Sequence, residues 1–390
     1  MLYNLLDASR DWLEARNAYW AFMVLDQIQF RAVGAALLAF AIVILFGKRT
    51  IAWLRRKKIG DTGLTDAKAL ENAAASKKNT PTMGGLLIAG AIGGATLLLA
   101  DLTNQYIQMG LLCLVWLAAL GGVDDWLKLT AASRPGGSRQ GLHAWEKLVF
   151  QLGLALLLGY FAYSHGQAGA EKNLAHVLNL PFQRTYAVGG MSPADGLLFL
   201  DRAPYVIIMV LMVAGMSNAV NLTDGMDGLA SGVTAAVALG LLTLCLIAGW
   251  QSAAQYLLMP YVGGASELAI VAGAMAGACL GFLWWNCAPA SVFMGDTGSL
   301  CLGGLLGYIA VVVRQEALLL LMSGVFLLEI ASVVLQVGYF KATNGKRIFR
   351  CAPYHHHLHM GGWTESKIVA RLWIVTVVLV ALAIATIKIR

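Results

Sequence analysis

Charge is scarce in this chain: 13% of its 390 residues are Asp, Glu, Lys or Arg, about half the share of an ordinary soluble domain. With 58% of the residues hydrophobic, a water-soluble globule is excluded and a membrane protein is implied. The alternating ten-residue stretches of a transmembrane β-barrel are missing, which leaves helices as the spanning elements. The six cysteines (Cys113, Cys245, Cys279, Cys287, Cys301, Cys351) contain no CxxC pair and lie mostly in or beside apolar runs. That argues against a disulfide framework or zinc site and for small core hydrophobes. The first 20 residues show no basic start, apolar centre and cleavage site, so no removable signal is visible. Trp12, Tyr19 and Trp20 read instead as anchors of a short helix lying in the membrane interface.

Long apolar runs take the place of charge. Ala32 to Phe46, Leu268 to Trp285 and Leu372 to Ile387 approach the roughly 20 residues that cross the hydrocarbon core as a helix. The pattern predicts an all-α, polytopic integral membrane protein: a single domain over residues 1–390 with about ten transmembrane helices, centred near 35, 91, 115, 155, 211, 238, 274, 306, 330 and 378. Gly273, Gly277 and Gly281, and again Gly303 and Gly307, sit at the spacing that lets helices approach closely. Most of the 28 lysines and arginines fall in alternate loops, about 47–82, 124–147 and 341–371. The excess of basic residues makes that set cytoplasmic, together with loops 218–230 and 284–299, and puts both termini on the periplasmic side. The net charge of +7 reads as topology and attraction for anions, with no nucleic acid implied.

The same parity brings the polar stretches to one face: KNTPTMGG (Lys78 to Gly85), GGVDDWLK (Gly121 to Lys128), NAVNLTDGMDGL (Asn218 to Leu229), VFMGDTGS (Val292 to Ser299) and CAPYHHHLHMGGW (Cys351 to Trp363). Taken singly, Asp124 and Asp125 can cap a span, and Asn221, Thr223 or Asp224 can cap the next one. Asp224 and Asp227, three apart, share a face if the segment is helical. Asp296 stands in a glycine-flanked turn that lets backbone amides approach a ligand. Together, five carboxylates repel one another unless something positive sits among them. Oxygen-only ligands suit magnesium completed by substrate phosphates, and Lys77, Lys78, Lys128 and Lys147 lie on the same side. The combination suggests phosphoryl transfer.

The histidine run lies inside the chain, which rules out an expression tag. Consecutive residues diverge around a helix, so His355, His356 and His357 cannot share one zinc without an irregular backbone. Interface packing and phosphate binding or proton handling both remain open for them. Glu329 is an ionisable group within the ninth span. The blander reading of Glu329 is a polar inter-helix anchor together with Gln336, two turns on.

TPTMGG, VDDWLK, NAVNLTDGMDGLA, FMGDTGSL and LQVGYFKATNGKRIFRCAPYHHH resemble, in order and spacing, the phospho-N-acetylmuramoyl-pentapeptide transferases of the polyprenyl-phosphate N-acetylhexosamine-1-phosphate transferase superfamily. The likeness runs from Arg31 to the terminal IKIR. It implies a ten-helix inner-membrane enzyme, commonly dimeric and magnesium-dependent. Such enzymes transfer phospho-N-acetylmuramoyl-pentapeptide from its uridine diphosphate carrier (UDP-MurNAc-pentapeptide) to undecaprenyl phosphate, releasing UMP and making lipid I. By the resemblance Asp124, Asp125, Asp296 and His355 are the catalytic residues, with Asp296 also contacting Mg2+. Asn221, Asp224, Asp227 and Phe293 fall where the family binds uridine. Lys77, Thr82, Lys128 and Lys147 resemble its polar site positions, and His356 and His357 complete the substrate-binding set. LHMGGW after the triplet departs from the family pattern, so the resemblance carries over neither a role for His359 nor the fine specificity there. The stretches 130–141 and 164–203 are longer than usual. A sister enzyme transferring GlcNAc-1-phosphate is the nearest alternative. A transporter is more distant, because transport sites sit near the midplane at broken helices.

Overall fold

The structure is a computed structural model that describes residues 1–57, 80–130, 141–166, 173–187 and 192–387. Lys77, Lys78 and the Arg134 to Gly137 stretch lie outside the described residues. All ten expected spans are helices: α1 (Ile28–Arg56), α2 (Gly85–Leu99), α3 (Gln105–Thr130), α4 (Ala144–Gly166), α5 (Arg202–Thr223), α6 (Leu229–Ala248), α7 (Leu268–Asn286), α8 (Asp296–Val312), α9 (Gly324–Ala342) and, after the seven-residue α10 (Tyr354–Met360), α11 (Glu365–Thr386). The protein is therefore an all-α polytopic membrane protein. A helix satisfies its own backbone in a solvent that offers no hydrogen bonds, so apolar runs of this length fold this way.

The buried centre is α7 and α8. Every residue of α8 from Thr297 to Val312 is buried, and the pair is wrapped by α1, α6, α5 and α3. Glycines make this close packing possible: a Cβ added at Gly277 would lie 1.9 Å from the Ala36 carbonyl oxygen of α1, and one at Gly307 would lie 2.3 Å from the Met212 oxygen of α5. The small-residue stripes are packing surfaces, as the spacing suggested. Cys113, Cys245, Cys279 and Cys301 are buried as small hydrophobes, whereas Cys287 is exposed.

Among the described residues, eight helices are long and apolar enough to cross a bilayer, while α2 and α8, with 15 and 17 residues, are shorter. At 1.5 Å per residue these two fall short of a core about 30 Å thick. Both begin late, at Gly85 and Asp296, and the irregular segments leading into them pair with each other. Phe293 N–H donates to Pro81 O, Gly84 N–H to Phe293 O and Gly85 N–H to Met294 O, each over 2.8 Å. Backbone that no helix satisfies is thereby satisfied within the protein, and two polar motifs are joined at one end of the bundle.

At the N-terminus the expected interfacial helix is two short ones, Leu2–Ala8 and Arg10–Ala15, followed by 3-10 turns. Trp12 and Trp20 are exposed, whereas the Tyr19 hydroxyl donates to Asp26. At the same end of α1, Arg31 forms a buried two-pronged ion pair with Glu267, at 2.7 and 3.0 Å. The geometry suits a guanidinium removed from water.

Candidate active site

Asp124 and Asp125 occupy adjacent positions near the end of α3, about 100° apart around the helix, and they do different things. Asp125 faces the start of α8: its Oδ1 accepts from Asp296 N–H at 3.1 Å, and its Oδ2 accepts from Thr297 N–H at 3.0 Å and the Thr297 hydroxyl at 2.7 Å. It caps the first turn of the most buried helix, where a negative group offsets the helix dipole. Asp124, fully buried, faces the lysines. Its Oδ1 accepts from Leu142 N–H at 2.7 Å, and its Oδ2 lies 2.6 Å from Lys128 Nζ and 2.7 Å from Lys147 Nζ. The same two ammonium groups sit 3.2 and 2.6 Å from Asp296 Oδ2. Two carboxylates thus share two lysines.

Ligand atoms of Asp124, Asp125 and Asp296 all lie within 4.8 Å of one another, the one group of this kind among the described residues that can hold a metal ion. The donor set fits magnesium, a hard cation that takes carboxylate oxygens and keeps waters. The Oδ2 atoms of Asp124 and Asp296 already converge on shared positive charge. Asp125 has spent both oxygens on the α8 cap and contributes least.

The Asp224–Asp227 segment departs from the helical reading. It is a turn after α5, closed by Gly228 at φ +79°, so the two carboxylates separate. Asp224 accepts from Gly295 N–H, beside Asp296, whereas Asp227 Oδ2 accepts from Ala290 N–H at 3.0 Å. Enclosure by protein, then repulsion from Asp296 and Asp125, pushes the Asp224 carboxyl up to about 7, opposed by the Gly295 amide. Asn221 donates to the Ser299 hydroxyl at 3.1 Å. Thr82 closes on the Gly295 turn: a Cβ there would lie 2.6 Å from Asp125 Oδ2 and 3.1 Å from Thr82 Oγ1. Phe293 belongs to the backbone pairing with Pro81 and Gly84.

The histidines sit on α10, and the structure separates them. His355 is fully buried. Its Nδ1 lies 3.1 Å from Glu329 Oε2, which also accepts the His355 backbone N–H at 3.3 Å. His356 packs its ring on that of His355, at 4.2 Å between centroids. His357 turns outward, stacks on Tyr354 and accepts from Arg350 N–H. His359 meets Trp363 O. The expected Glu329–Gln336 anchor is corrected: Gln336 Oε1 accepts from Ile348 and Phe349 N–H and holds the loop before α10, while Glu329 serves His355.

Two further residues hold the site together and were missed in the sequence. Asn286, at the end of α7, accepts from Gly228 N–H and the Ser231 hydroxyl and donates to Val292 O, tying the Asp224–Asp227 turn to the VFMGDTGS segment. Glu365, at the start of α11, accepts from Asp227 N–H at 2.8 Å. The only signal for Asn286 was a lone polar residue closing an apolar run.

Residues 107–314 match the family model for glycosyl transferase family 4, and residues 77–88 match phospho-N-acetylmuramoyl-pentapeptide-transferase signature 1. A protein of Desulfotalea psychrophila named phospho-N-acetylmuramoyl-pentapeptide-transferase is 41% identical over 390 residues, covering all of both chains. Proteins of the same name from Neisseria meningitidis and Neisseria gonorrhoeae are each 43% identical over 380 residues, covering 97% of this chain and 98% of theirs. The residues of the clustered carboxylates and lysines fall within that span, and by this full-length likeness the chain belongs to the phospho-N-acetylmuramoyl-pentapeptide-transferase family.

Proposed function

We propose that the protein transfers phospho-N-acetylmuramoyl-pentapeptide from UDP-MurNAc-pentapeptide to undecaprenyl phosphate, yielding lipid I and UMP, the first membrane step of peptidoglycan synthesis. The full-length likeness to proteins of that name carries the substrate assignment. The Asp124–Asp296 pair bridged by Lys128 and Lys147 supports the reaction class. In this reading the site faces the cytoplasm of a bacterial inner membrane, both termini lie opposite, and the enzyme is a homodimer.

Both reactants are anionic, so the first task is to bring two phosphates together. In this reading Lys128 and Lys147 hold them together with Thr82 and, by the resemblance, Lys77, which lies outside the described residues. Asn221, Asp224, Asp227 and Phe293 receive the uridine end and His355 and His356 flank it, while His357, turned onto Tyr354 and Arg350 N–H, stands apart. Magnesium is the cofactor, held by Asp296 with Asp124 beside it; when bound it supplies charge that screens the phosphates from one another. The lipid phosphate oxygen attacks the sugar-linked phosphorus and UMP leaves. Asp124 either takes the lipid phosphate's proton or first forms a covalent phosphosugar, and trapping labelled sugar phosphate on the protein without lipid separates the two.

The test offers the purified protein magnesium, undecaprenyl phosphate and either UDP-MurNAc-pentapeptide or UDP-GlcNAc, and measures UMP. Release with the muramoyl nucleotide alone is expected. Release with UDP-GlcNAc alone would move the assignment to the sister transferase.

A further inference from the structure

Glu329 and His355 form a buried pair, and no role above explains Glu329. Both are fully buried, on helices joined through the loop at 343–353. Glu329 Oε2 receives two groups of His355, the backbone N–H at 3.3 Å and ring Nδ1 at 3.1 Å. An oxygen that already accepts the backbone N–H receives the ring as a second donor, which puts a proton on Nδ1 and presents Nε2 to the other side. That Nε2 has no hydrogen-bond partner, an expensive state for a buried polar atom. It faces the turn between Asp224 and Asp227: a Cβ built on Gly225 would lie 2.4 Å from it. A buried ring fixed at one nitrogen and unpartnered at the other, against a loop with a neighbouring carboxylate, is the arrangement of an oriented histidine with one nitrogen left for a ligand.

We infer that Glu329 is the positioning residue of the site: it docks α10 and holds His355 in the Nδ1–H tautomer, so that Nε2 addresses the phosphate-bearing nucleotide bound at the Asp224–Asp227 turn. The inference rests on the function proposed above for the identity of that ligand, though the pairing itself does not depend on it. Glu329 touches no substrate; it acts through the imidazole. The carboxyl also satisfies an N–H in the first turn of α10, which has no side-chain cap of its own.

Two measurements test this. Nitrogen-15 spectra of histidine-labelled wild type, assigned with His355→Gln, are expected to show Nδ1 protonated and hydrogen-bonded; a His355 protonated at Nε2 alone overturns the proposal and needs no variant at Glu329. Glu329→Gln, isosteric and able to accept one donor, is expected to lower kcat about 10- to 100-fold, the usual cost of losing such an orienting partner, with KM for the nucleotide nearly unchanged. In the double variant Glu329→Gln/His355→Gln the losses are expected not to add, because the two act as one unit. Multiplying losses, or wild-type kcat in Glu329→Gln, would show that Glu329 is merely structural. If wild type released no UMP from UDP-MurNAc-pentapeptide, the proposed function would fail while the tautomer result still decided the pairing.

Discussion

Adjacent aspartates in the same motif are expected to fail in different ways. Asp125 answers three donors of α8, of which Thr297 belongs to a fully buried residue. In Asp125→Asn one oxygen still accepts, but the new amide group faces Thr297 N–H and the Thr297 hydroxyl. The hydroxyl can rotate to accept; the backbone N–H cannot, and a buried donor left unsatisfied costs about 1–3 kcal/mol. Loss of the negative charge at the helix N-terminus adds roughly 0.5 kcal/mol, so about 2 kcal/mol in all is expected. Asp124→Asn keeps the oxygen that accepts Leu142 N–H. Both lysines retain Asp296, and Lys128 is 44% exposed, so water replaces much of what that ammonium loses and the stability cost stays under about 1 kcal/mol. Thermal unfolding of the detergent-purified variants, followed by tryptophan fluorescence at one scan rate because such unfolding is commonly irreversible, is expected to rank Asp125→Asn clearly below Asp124→Asn. Both variants are expected to lose transfer activity, measured as UMP release. If Asp125→Asn melted with the wild type while Asp124→Asn fell, the division of labour drawn from the geometry would be wrong.

Gly225→Ala drives a methyl group to 2.4 Å from His355 Nε2; the ring is fully buried and cannot retreat, so overpacking of roughly 1–3 kcal/mol is expected, and Gly225→Ala/His355→Ala recovers much of that stability in the same melting assay. Because the folded Asp224 carboxyl sits at about 7 against an ordinary 3.8, the folded state binds a proton that the unfolded chain has already released. Stability therefore falls as pH rises between those values, and Asp224→Asn should flatten that slope in melting curves collected across it; an unchanged slope refutes the assignment. Lys128 and Lys147 occupy the position between Asp124 and Asp296 where a divalent cation would sit, so magnesium should speed their acylation in competitive labelling, and protection by magnesium would contradict that picture. Among the histidines, His355→Ala is expected to abolish UMP release while His357→Ala, whose ring faces Arg350 N–H at the surface, retains most of it.

What the sequence disclosed and what it withheld follow from range. Apolarity sustained over some 20 residues is a local signal imposed by the bilayer, which made eight of the helices legible, while α2 and α8 showed as shorter apolar runs; the convergence of the polar motifs followed from counting basic residues loop by loop. The condition set for Asp224 and Asp227, a helical segment, is not met, for a reason also present in the sequence. Gly225 and Gly228 punctuate the segment, and Gly228 takes a left-handed φ, so the three-residue spacing never acts as a helical one. The division between Asp124 and Asp125 was hidden more deeply, because nothing local says which of two adjacent helical positions turns toward a helix 171 residues further on. Glu329 is the clearest case of all. The sequence paired it with Gln336, two turns on along the same helix, and that local pairing looked sufficient; the true partner arrives 26 residues later on another helix. A buried ionisable group in a membrane span carries a cost that local contacts rarely cover, so the presence of Glu329 already required a partner of matching polarity. Among the described residues, the partner that the fold returns to its side chain is His355.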